Sequence, residues 1–219
     1  MKALFQQLET DGLVTITQRA DWLVDVAALA SLQAVACHPE MLGIVCQLLG
    51  PNISVRRALV LPDSALSQAI GTTPLDPYVP RAGAPMYSIG AILCMEATRG
   101  SNTGEHIALE TGDVVLIDRR SPRAVAFAES VQLRRGMYLE YALRWLAPCP
   151  RQTPVLLNEA STDAERQLFS NHGFWNTFGP QPADVPLAAW MKSNGITRQG
   201  HADPHAKLPT TVSGPRYEV

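Results

Sequence analysis

The stretch Leu109-Glu110-Thr111-Gly112-Asp113-Val114-Val115-Leu116-Ile117-Asp118-Arg119-Arg120-Ser121-Pro122 limits the fold more than any other part of the chain. Gly112-Asp113 is tight-turn chemistry: glycine accepts a positive φ, and an aspartate side chain bonds its own backbone. An unbroken aliphatic run follows, Val114 to Ile117, which reads as a short buried strand. Asp118 to Pro122 forms a second turn. A strand this short, held between two turns, must sit among other strands to bury its side chains.

The remaining pattern supplies them. Residues 2–9 predict a short helix, followed by the turn Asp11-Gly12 and the strand Leu13-Val14-Thr15-Ile16. Residues 21–35 are rich in Ala, Leu and Val and fit a helix that His38-Pro39 breaks. Pro39 suits the first position of the next helix, which runs to about Leu49 and stops at Gly50-Pro51. Short strands are then predicted at Ile53–Val55, Ala58–Leu61, Tyr87–Met95, Ile107–Leu109, Val114–Ile117, Ala124–Phe127 and Arg135–Leu143. Residues 161–170 fit a helix capped by Ser161 or Thr162, with Glu165 at the capping-box position. Gly179-Pro180-Gln181-Pro182 reads as a linker, and the chain from Gly195 onward as an extended polar tail. Strands following an N-terminal helical layer predict a mainly-β fold, an antiparallel sandwich or barrel with flanking α-helices.

Composition narrows the function classes. Hydrophobic residues make up 46% of the 219, enough for a sizeable core. With 18 basic against 20 acidic residues, no cationic excess exists to collect phosphates, so nucleic acid is not expected as a partner. Cys37, Cys46, Cys94 and Cys149 are scattered, which fits reduced thiols rather than a disulfide framework. No window is apolar enough for a membrane-spanning helix and the first residues carry no secretion signal. A soluble cytoplasmic protein is expected.

Taken in order, several of these pieces resemble the phytanoyl-CoA dioxygenase family. Phe5 with Asp11-Gly12-Leu13-Val14 is similar to its opening strand, and His38-Pro39 through Leu48-Leu49-Gly50-Pro51 to its second helix. Gly100-Ser101 resembles a loop after its central strands, Gly112 to Asp118 its most recognisable strand, and Arg134-Arg135-Gly136-Met137-Tyr138-Leu139 the strand after that. The resemblance implies a double-stranded β-helix (a jelly-roll, cupin-like fold) over residues 1–178, with 179–219 a Pro-rich extension. It also implies Fe(II) held by a His-x-Asp pair and a later His, with 2-oxoglutarate bound through a basic residue.

The implied ligands are only partly present. Pro74-Leu75-Asp76 takes the register of His-x-Asp, so the aspartate stands but the histidine does not. Pro122 takes the register of the later histidine. The 2-oxoglutarate arginine corresponds to Arg134 or Arg135. No metal site is therefore expected and no cofactor is required, with Fe(II) and 2-oxoglutarate following only if the family activity survives.

Other features weigh less. His106 stands just before the Gly-Asp turn, as a substitute ligand or simply a polar loop residue. His201-Ala202-Asp203-Pro204-His205 holds metal-ligand types, but in the tail. Arg119, Arg120 and Arg123 form either an anion-binding mouth or a solvated turn, and Glu129 and Glu140 read as surface residues. Three functions stay open. One is a small-molecule enzyme with non-redox chemistry (isomerase, cyclase or lyase), using Asp76, Tyr78, Tyr138 and the arginines for acid/base and charge-stabilising roles. Another is an active oxygenase with a rearranged metal site. The last is a catalytically inactive relative that acts by binding a ligand or a partner subunit, as a homodimer or a heteromer with an active homologue.

Overall fold

The computed structural model describes residues 2–16, 29–62, 86–97, 109–118, 120–131, 133–144, 161–169 and 185–197. Among them the order is α1 (Lys2–Asp11), β1 (Leu13–Ile16), α2 (Leu29–Ala36), α3 (Pro39–Leu49), β2 (Ile53–Pro62), β3 (Ser88–Ala97), β4 (Val114–Ile117), α4 (Pro122–Ser130), β5 (Leu133–Leu143), α5 (Asp163–Phe169) and α6 (Pro186–Ser193). The strands form a single five-stranded sheet of order β1-β4-β3-β5-β2, and every ladder is antiparallel. The described residues are thus mainly β with flanking helices. None of their helices is long and apolar enough to cross a membrane.

Local chemistry explains most of the element boundaries. Pro39 opens α3, where its missing N–H removes a donor that has no helical partner, and Gly50 closes it at φ 86°. Gly112, at φ 93°, makes the turn before β4, and Asp113 accepts the Glu110 N–H at 2.9 Å. Thr162 and Glu165 form the reciprocal capping box of α5: the Thr162 N–H donates to Glu165 Oε2 at 2.6 Å and the Glu165 N–H to Thr162 Oγ1 at 3.2 Å. The two strands predicted at 53–55 and 58–61 are one strand, β2, interrupted only by a register shift between Val55 and Arg57.

Two differences from the sequence reading matter. Ala124 to Phe127 is not a strand but the body of α4, which Pro122 opens at its first turn. The apolar residues there are spaced for a helical face: Ala124 and Phe127 are both buried. The helix α6 lies where no element was predicted. It buries Leu187 and Met191, one turn apart, in the core. It then ends in a Schellman motif, with the Ile196 N–H on Met191 O at 2.9 Å, the Gly195 N–H on Lys192 O at 3.2 Å and Gly195 at φ 63°. Of the strand predicted at 107–109, only Leu109 is described, and it is not in a strand.

Alternation along the strands divides the core in two. One face presents Val14, Val55, Ile89, Leu93, Leu116, Met137, Leu139 and Tyr141 to α1, α2, α3, α5 and α6. The other presents Ile92, Cys94, Val115, Ile117 and Tyr138, with Ala124 and Phe127 of α4 and Leu133 packed among them.

Candidate functional site

The two faces differ in chemistry, and the difference marks a candidate site. Against the main helical layer the sheet is apolar, and the buried phenol of Tyr141 there donates to Ala36 O at 3.0 Å. Along β5 the opposite face carries Tyr138, Glu140, Ala142 and Arg144, all buried. Their neighbours in register are Gly90 beside Glu140 and Ser88 beside Ala142 on β3, and Arg57 beside Glu140 on β2. Polar groups therefore gather at one end of this face, and apolar ones at the other.

The register shift in β2 builds the polar end. An extra residue in one strand turns successive side chains toward the same side. Arg56 Nη1 donates to Glu140 Oε1 at 3.2 Å, and Arg57 Nε lies 3.4 Å from Glu140 Oε2. Glu140 is 0% exposed, so its surface assignment from sequence is overturned. The sequence sets it between apolar neighbours, Leu139 and Tyr141, a pattern that also fits a half-exposed strand. Its burial depends on arginines more than eighty residues away, |i−j| = 84 for Arg56, so no local signal could announce it.

Tyr138 stands next to the ion cluster on the apolar side. Gly90 makes room for its ring: a β-carbon there would meet Ile117 Cγ1 at 2.6 Å and Tyr138 Cε2 at 3.0 Å. The tyrosine predicted from sequence is thus seated in a sheet position that only glycine can face. Arg135, in contrast, is exposed, and pairs in register with Glu96 of β3 and Pro62 of β2. Arg134 belongs to β5 by its backbone, and its side chain lies outside what is described. Asp76, Tyr78, His106 and the His201-Asp203-His205 group also lie outside the described residues.

Of the other predicted arginines, Arg120 stands in the turn after β4 and Arg123 in the first turn of α4, while Arg119 lies outside the described residues. Arg120 chelates Asp118 through Nε and Nη2, the latter 2.5 Å from Oδ2. Arg123 reaches Asp11 at 3.0 Å. Both are thereby engaged with carboxylates of the fold, which favours a structural turn over an anion-binding mouth.

Of the iron ligands the resemblance implies, only the position of the later histidine falls among the described residues, and it offers none. Pro122 begins α4, is exposed, and carries no donor atom for a metal. Among the described residues no three His, Cys, Asp or Glu side chains converge as a metal site. The described thiols are poor ligands as they stand: burial pushes Cys37 and Cys46 up to about 12 and Cys94 to about 11. What the face offers instead is a phenol, a carboxylate and guanidinium groups in a dry setting, which are acid/base and charge-stabilising groups. No family model and no curated protein matches the chain.

Proposed function

We propose that this protein is a small-molecule enzyme on a double-stranded β-helix of the phytanoyl-CoA dioxygenase type, running non-redox chemistry of the isomerase, cyclase or lyase kind. The observation that carries the proposal is the asymmetry of the sheet. Tyr138, Glu140, Arg56 and Arg57 are gathered and buried on the face away from the main helical layer. Buried ion clusters are expensive, and replacing them with apolar residues often stabilises a fold. Their presence on a single face is what a reactive cavity needs: charge fixed in advance where a transition state develops it.

The antiparallel order, with the N-terminal strand β1 beside β4, supports the jelly-roll part of this reading, because it joins distant segments in one sheet as such folds do. In the proposed chemistry Tyr138, with Asp76 and Tyr78, moves protons, and the arginines hold developing negative charge. No step passes through iron, since the position implied for its later histidine has no donor.

The test is a metabolite screen on the purified chain in EDTA without 2-oxoglutarate. Ligands found by thermal shift are incubated with the protein and the products analysed by mass spectrometry. A product isomeric with its substrate, or short of one water, is expected. A product that has gained oxygen, formed only with Fe(II) and 2-oxoglutarate, would sink the proposal.

A further inference from the structure

We draw no further inference here: the strongest candidate, the outer edge of β2 with the exposed Val60 at the border of the described sheet, carries no proposal because nothing among the described residues shows what covers it.

Discussion

A β-carbon on Gly12 would stand 2.0 Å from the Ser121 β-carbon, so the turn after α1 and the turn after β4 touch almost backbone to backbone. The Asp118 N–H donates to Gly12 O at 2.7 Å in the same contact. Gly12 also sits at φ 74°, where a side chain is strained. Gly12→Ala should therefore destabilise the fold by about 3 kcal/mol, combining left-handed strain with overpacking. Urea denaturation should show a lower midpoint at unchanged slope. A midpoint within error of the parent would mean that the two turns are free to separate.

Glu140 anchors a second long-range contact. Removing it leaves Arg56 and Arg57 without their shared carboxylate in a buried setting. Glu140→Ala should lower stability by about 3–5 kcal/mol. In a double-mutant cycle with Arg56→Met, the coupling should be about 1–3 kcal/mol. Additive losses would show that the pair, 3.2 Å apart, contributes no interaction of its own.

Gln167 joins three segments through one buried amide. Its Nε2 donates to Pro51 O at 2.7 Å and to Ile53 O at 3.1 Å, while its Oε1 accepts the Leu187 N–H at 3.0 Å. That N–H lies in the first turn of α6, where no helical acceptor exists. Gln167→Leu should cost about 3 kcal/mol by leaving these backbone groups unsatisfied. Hydrogen exchange should accelerate first at Leu187. Unchanged exchange there would show that another group takes over the amide.

Desolvation raises Cys37 and Cys46 from 9.0 to about 12, and Cys94 to about 11. Tyr141 is raised well above 10.0 by the same cause. The folded state thus keeps protons that the unfolded chain releases. This contribution to stability is fully present below about pH 9 and is lost as the pH climbs from about 9 to about 12. Folded protein at pH 8 should react slowly with a thiol reagent at these cysteines, and quickly once denatured. Rapid modification of Cys46 in the folded state would contradict its burial.

Which parts could be foreseen depends on how local their causes are. Pro39, Gly50, Gly112 and the Thr162–Glu165 box act within one turn of themselves, and the sequence announces each. The α4 helix is not legible from its core because Ala124-Val125-Ala126-Phe127 is short enough to suit either period, although Ser121-Pro122 is itself a helix-start signal. Gly195 with Lys192 similarly marks the end of α6, which a polar, Pro-rich context concealed. Tyr138, an acid/base candidate, lies on the face away from the main helical layer, beside the buried Glu140. Arg56 and Arg57 carry no local signal, and Glu140 reads as a surface residue, because strands distant in sequence pair to create their cluster.

The last prediction concerns Pro122, which stands in register with the histidine the resemblance implies. If proline were the sole obstacle to iron, Pro122→His would restore part of a site. The fold argues otherwise. The position is exposed at the first turn of α4, so a new imidazole there would face solvent rather than Tyr138 and Glu140. One exposed histidine without companion ligands binds divalent metals weakly. Titration of the variant with Co(II) should give no ligand-field band characteristic of a built site and no rise in melting temperature. Because a first-turn proline is preorganised for the helix, the variant should lose at most about 1 kcal/mol. A stoichiometric Co(II) complex with a higher melting temperature would show that residue 122 can reach a metal cavity, and would reopen the oxygenase reading.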